Sequence, residues 1–369
     1  MSGVLLEHLL RRIRIDGPIS VAEFMATALG HPEHGYYMTA DRFGTAGDFV
    51  TAPEISQMFG ELIGLWCADY WQRMGCPAPF TLVELGPGRG TLMADALRAV
   101  SGVMPAFVAA CRLHLVETSP LLRRRQGEAL ARFQPHWQDR LSEVPDGGPL
   151  LLVANEFFDA LPVRQFERTS HGWSERLIGA AERNTLHFVL GPPNGPTSLM
   201  IPPRLRAAEI PLGTVIDLAP VGNAVALELG RRLTRAGGAA LIIDYGHTAP
   251  VPTDTLQAVR HHTPVSVLES PGEADLTTHV DFAALARAAG EGGAVSYGPL
   301  TQSAFLTSCG IETRAATLRR KASVEQTRDI DSALRRLTAN DAMGTLFKVL
   351  ALTGPKQPVP ACFEPPTLL

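Results

Sequence analysis

Leu5, Leu6, Leu9, Leu10 and Ile13 recur at helical spacing and predict an amphipathic first helix. Gly17-Pro18 ends it, and Ser20 is placed to cap a second helix, VAEFMATALG. The stretch HPEHGYYMTADRFGTAGDFVTAPEIS has no period and predicts a long ordered loop. Its two tyrosines, Phe43 and Phe49 argue against disorder. ISQMFGELIGLWCADYWQRMG returns to a helical pattern and stops at Gly75, Pro77 and Pro79. Residues 1–79 are therefore expected to form a helical lobe laid over the ligand edge of a sheet.

From residue 80 the pattern changes to short apolar runs. FTLVEL, LHLVE, a short element around HWQDRL, the uninterrupted LLLVAN, and AALIIDYG predict five strands. AVSYG and GTLFKVLAL predict the last two, with helices between, including one over about residues 92–100. VRQFERTSHGWSERLIGAAERNTLHFVLG alternates and predicts antiparallel strands inserted at about residues 163–215. IPPRLRAAEIPLGTVIDLAP reads as a proline-broken connection. The expectation is an α/β domain, residues 80–369, with a seven-stranded Rossmann-like sheet. A hairpin-like final pair fits a methyltransferase sheet better than a dinucleotide-binding one.

Composition narrows the class. A hydrophobic share of 45% with 19% charged residues describes an ordinary globular protein. A formal net charge of -4 carries no basic excess, so nucleic acid is a poor partner. The five cysteines, at 67, 76, 111, 309 and 362, form no C-x-x-C pair and read as buried thiols in a reducing compartment. No H-E-x-x-H or EF-hand pattern occurs, so no metal is expected, and no G-x-S-x-G elbow supports a hydrolase. No uncharged apolar run reaches membrane-spanning length. Acidic residues interrupt the amino-terminal arginines, so no targeting segment is expected and the protein is expected in the cytoplasm.

The candidate chemistry begins at LVELGPGRGT. Gly86, Gly88 and Gly90 follow an apolar strand and precede a helix, the arrangement in which an open α/β sheet presents a ligand. The spacing is G-x-G-x-G, and Thr91 stands where a dinucleotide fold would have its third glycine; no phosphate-loop lysine follows. Glu84 adds an acceptor for an ammonium or a bound water; an anion would avoid it, whereas S-adenosylmethionine, with its amino-acid tail and sulfonium, suits it. Glu117, 27 residues after Gly90, ends the second strand where a carboxylate can take both ribose hydroxyls.

ANEFFDALP is the second informative stretch. Glu156 and Asp159 are three residues apart and would share a face if the segment were helical; Asn155 completes a polar cluster. Paired carboxylates suit a cationic substrate, and a guanidinium takes two oxygens in a fork. Glu156 and Asp159 are the catalytic candidates. Asp159 could equally cap a turn, and Glu156 could bind cofactor or a backbone amide. Asp48, Thr51, Glu54 and Ser56 come from the loop before the long helix, where Thr51 would help cover a cofactor, although Pro53 and Glu54 also suit a helix start.

GDFVTAPEISQMFGELIG, LVELGPGRGTLM, LVETSPLLRRRQ, ANEFFDALPVRQF, LIIDYG, THVDFAALA and GTLFKVLAL occur in this order over residues 35–352. In them the chain resembles the MidA family of S-adenosylmethionine-dependent methyltransferases, which includes a mitochondrial assembly factor for respiratory complex I. The resemblance implies a class I methyltransferase fold with a helical amino-terminal addition. It implies cofactor contacts from Gly86, Gly88, Gly90 and Glu117, a substrate edge at Glu156 and Asp159, and arginine of a protein as the methyl acceptor. Two rivals remain at this point: a small-molecule methyltransferase, and an assembly chaperone that binds a partner without catalysis.

Overall fold

Strands whose residues are apolar on both faces belong in the middle of a sheet with both sides covered. LLLVAN is such a run, and all six of its residues are buried. The protein is described here by a computed structural model covering residues 3–39, 51–207, 209–249 and 252–364. The chain divides into two compact units: residues 1–49, 159–222 and 249–281 form one, and residues 50–158, 223–248 and 282–369 the other. This differs from the expected division at residue 79. The helical residues just before the sheet belong to the sheet unit, and the amino-terminal helices join the inserted strands.

Among the described residues the sheet unit holds seven strands: β1 (Phe80–Leu85), β2 (Cys111–Val116), β3 (His136–Gln138), β4 (Leu150–Asn155), β5 (Gly238–His247), β6 (Val295–Thr301) and β7 (Phe347–Thr353). Their order is β6-β7-β5-β4-β1-β2-β3. β1 to β5 pair parallel, and β7 runs antiparallel to both β5 and β6. The seven strands and the reversed final pair are as expected. Strand order reverses on either side of β1, so the crevice at its carboxyl end is a topological switch point, where such sheets bind ligands.

One core runs through this unit. α1 (Gln57–Arg73) and α2 (Thr91–Val103) bury Phe59, Ile63, Trp66, Met93 and Leu97 against Leu82, Leu113, Leu151 and Val153 of the sheet. The helical stretch expected to start at Ile55 is broken at Ser56, whose side chain caps α1 at the Met58 amide; a separate short helix spans Ala52–Ile55. α3 (Pro120–Ala129) follows β2 and is capped by Ser119.

The other unit is built on antiparallel pairing. Gly172–Ala180 pairs with Ile19–Ser20, Arg164–Thr169 and Leu186–Pro193. Val215–Leu218 pairs with Arg164–Thr169, so the proline-broken connection contains a strand that its prolines concealed. The helices Gly3–Asp16 and Val21–Gly30 pack Leu5, Leu9, Phe24 and Met25 against Ile178 and Leu276. Ser20 caps the second helix as expected, in a reciprocal capping box with Glu23.

Candidate active site

The loop after β1 owes its shape to glycine. Gly86, Gly88 and Gly90 have φ of 60°, 54° and 83°, values that side-chain-bearing residues seldom adopt. A Cβ on Gly86 would also lie 3.0 Å from the Phe157 ring. Gly90 is the N-cap of α2, so the loop leads straight into a helix amino terminus.

Glu117 stands just past β2. Its Oε1 accepts from the Ser119 amide at 2.8 Å and its Oε2 from Gln126 Nε2 at 3.2 Å. Gln126, on α3, is fully buried and was not singled out from the sequence. Trp137 Nε1, which can only donate, meets its Oε1 at 2.8 Å. That contact turns the Gln126 amide nitrogen toward both Glu117 and the Gly88 carbonyl, which lies at 2.8 Å. Gln126 therefore ties the glycine loop to the acidic end of β2. Burial raises the Glu117 pKa above its ordinary value, against the donors at Ser119 and Gln126.

At the end of β4, Glu156 takes a left-handed φ of 48°. Its Oε1 accepts from Asn155 Nδ2 at 3.1 Å and from the Ala52 amide at 3.1 Å. The Ala52–Ile55 helix also reaches the glycine loop: Glu54 accepts from Thr91 Oγ1 at 2.5 Å and from Arg89 at 3.3 Å. Thr51 is the N-cap of this helix, but its side chain makes no capping bond. Asp48 lies outside the described residues.

Residues 156–162 are not helical, so the expected shared face of Glu156 and Asp159 does not form. Phe158 instead turns its amide onto Asp244 of β5 at 3.0 Å, which gives Asp244 a structural task. Asp159 lies in the other compact unit, where it is buried and its carbonyl accepts from the Thr278 amide at 2.9 Å. Burial, with the charges of Asp275 and Asp159 adding to it, raises the Tyr37 pKa well above its ordinary value, and Tyr37 donates to Asp275 at 2.7 Å.

Glu84 is buried in β1, and its Oε2 has no hydrogen-bond partner among the described residues; nor has Asn155 Oδ1. Burial alone pushes the Glu84 carboxyl up to about 8. Two orphaned acceptors flanking the glycine loop suit a ligand that brings donors or positive charge. The glycine bend, Glu117 and these oxygens fit an adenosyl ligand with a cationic amino-acid tail.

Comparison with known proteins agrees. Residues 62–300 match a model of S-adenosyl-L-methionine-dependent methyltransferases. The chain is 39% identical over 340 residues to the mitochondrial protein arginine methyltransferase NDUFAF7 of Danio rerio, covering 85% of this chain and 78% of that one. For the Homo sapiens protein of that name the identity is 37% over 375 residues, covering 94% and 83%. A COG1565 superfamily structure from Burkholderia thailandensis, bound to S-adenosyl-homocysteine, superposes with a TM-score of 0.85 at 26% identity, covering 98% of this chain and 94% of that one. These relatives overturn the cytoplasmic placement expected from the amino terminus: the named ones are mitochondrial proteins. The match extends over most of the sequence and the whole sheet, and the chain belongs to the MidA-like family of S-adenosylmethionine-dependent methyltransferases.

Proposed function

We propose that the protein methylates an arginine side chain of a protein substrate. The observation that carries this reading is the carboxylate of Glu156, held by the Ala52 amide and Asn155 at the carboxyl end of β4, next to the strand that bears the glycine loop. The relatives' arginine methyltransferase activity supports it. A guanidinium is planar and cationic, and a carboxylate fixed by two donors orients it through charge-assisted hydrogen bonds.

S-adenosylmethionine supplies an electrophilic methyl group on sulfur. The residues' work is positional, because displacement at that methyl requires the attacking nitrogen in line with the carbon–sulfur bond. Gly86, Gly88 and Gly90 let the ligand lie against backbone. Glu117 receives the ribose hydroxyls with Gln126 fixing its orientation, and Glu84, Asn155 and Thr51 border the amino-acid end. Glu156 turns the substrate nitrogen toward the methyl group.

The test is transfer of a tritiated methyl group into a lysate of cells lacking the protein, followed by hydrolysis. Methylarginine in a protein band supports the reading; label confined to small molecules overturns it. Glu156→Gln is expected to keep cofactor affinity and to lose about 100-fold or more in rate. A variant with full rate would remove Glu156 from the mechanism.

A further inference from the structure

The sheet unit contains a pair of thiols that the methyl-transfer reading does not use. Cys309 caps the carboxyl end of α4 (Gln302–Ser308), and Cys362 lies 53 residues further on, in the carboxyl-terminal segment. Their sulfurs are 2.9 Å apart, and both residues are partly exposed. A disulfide bond is about 2.05 Å long, so closure needs less than about 1 Å of movement. Cys362 adopts a left-handed φ of 70°.

The surroundings distinguish the two sulfurs. The hydrogen bond from Cys309 pulls the Cys362 pKa down, and the Arg73 guanidinium adds to that, while burial and Asp69 oppose it. Cys309 is raised by the same bond and by burial. Arg73 is itself anchored on Asp69 at 2.6 Å. A cation beside the sulfur more disposed to ionise, with a second sulfur in contact, is the arrangement of an attacking and a resolving cysteine.

We propose that Cys309 and Cys362 form a reversible dithiol–disulfide site that fastens the carboxyl-terminal segment to α4. The oxidant is a low-molecular-weight disulfide of the glutathione class. The Cys362 thiolate attacks one sulfur of that disulfide, forming a mixed disulfide and releasing one thiolate. Cys309 gives up its proton and attacks Cys362 Sγ, displacing the second thiolate. Two protein thiols are oxidised and one external disulfide is reduced to two thiols, the two released thiolates taking up the protons given up by Cys362 and Cys309.

The segment to be fastened is already seated on α1. Trp66 Nε1 donates to the Ala361 carbonyl at 3.0 Å, Tyr70 Oη donates to the Pro358 carbonyl at 3.2 Å, and the Phe363 ring lies 5.8 Å from Phe305 of α4. Closing the bond restrains a loop of more than 50 residues in the unfolded chain, so the oxidised form is the more stable one.

The experiment equilibrates the full chain in glutathione buffers of increasing oxidised fraction, quenches with acid, alkylates, and maps the peptides by mass spectrometry. The expected result is loss of alkylation at Cys309 and Cys362 together, one cross-linked peptide pair, and full return of both thiols with dithiothreitol. Oxidised protein should melt about 5 °C or more above the reduced form. Cys309→Ser and Cys362→Ser should show no such rise. Both thiols staying alkylatable at the most oxidising ratio, or Cys362 pairing only with exposed Cys76, would overturn the proposal. So would equal melting of the oxidised and reduced wild type.

Discussion

Glu117 and Glu84 are both carboxyls at strand ends beside the glycine loop, and their surroundings give them different behaviour. Glu117 is met by an amide and by Gln126 and retains acceptor capacity for a ligand. Replacing it with alanine is expected to weaken S-adenosyl-homocysteine binding about 10- to 100-fold, the worth of one lost hydrogen bond to a charged group. Calorimetric titration of Glu117→Ala against wild type measures this. Glu84 has no such donors on Oε2, and burial raises its pKa from 4.5 to about 8. Between these values the folded state holds a proton that the unfolded state has released, so the Glu84 contribution to stability falls as pH rises from about 4.5 to about 8 and is flat above. Urea unfolding of Glu84→Gln should be less dependent on pH over this window than that of wild type, and the variant should be the more stable of the two at pH 9. Equal slopes would show that Glu84 finds a partner in solution.

At the scale of elements, the site depends on how closely α1 and α2 approach. A Cβ on Gly64 of α1 would fall 2.6 Å from Ala96 Cα and 2.7 Å from its carbonyl oxygen on α2. Backbone cannot yield as a flexible side chain can, so Gly64→Ala is expected to cost about 1–3 kcal/mol. Gly102 of α2 faces open space, and Gly102→Ala is expected to be neutral or slightly stabilising. Denaturant midpoints for the two variants test the contrast. The same packing carries Thr91, the first residue of α2, to its hydrogen bond with Glu54. Displacing α1 from α2 therefore acts on the glycine loop as well as on the core. A half-buried pair reinforces the element: Arg314 of α5 (Ile311–Arg319) grips the buried Glu61 of α1 with two bonds, at 2.6 and 2.9 Å.

At the scale of the whole molecule, the seven-stranded order β6-β7-β5-β4-β1-β2-β3 puts the ends of β1, β2 and β4 side by side, each with its own acceptor. A ligand that bridges three strand ends stabilises the folded state by mass action. S-adenosyl-homocysteine at about a hundred times its Kd should add about 2.7 kcal/mol to the unit that binds it. A thermal melt with and without the ligand reads this as a rise of several degrees, and Glu117→Ala should lose about half of that rise or more at the same ligand concentration. No rise in the wild type would contradict the cofactor assignment.

The periodicity of the chain sufficed for the sheet's seven strands, the amino-terminal helices and the Ser20 cap, because these are local consequences of which residues are apolar and where a cap can form. The glycine loop was equally legible: a turn that needs three positive φ angles admits few other residues. Tertiary structure decided the rest. Val215–Leu218 becomes a strand only because Arg164–Thr169 offers an edge to pair with, and residues 51–79 join the sheet unit because their apolar face is buried on it. The non-helical path after β4 follows from the hold of Asp244 on the Phe158 amide, a contact across 86 positions. Gln126 is an ordinary polar residue in a helix until Trp137 fixes which way its amide points. Contacts between residues distant in sequence leave no period to read, so the orientation of the acidic side chains belongs to the fold, whereas their presence at the strand ends was already written in the order of residues.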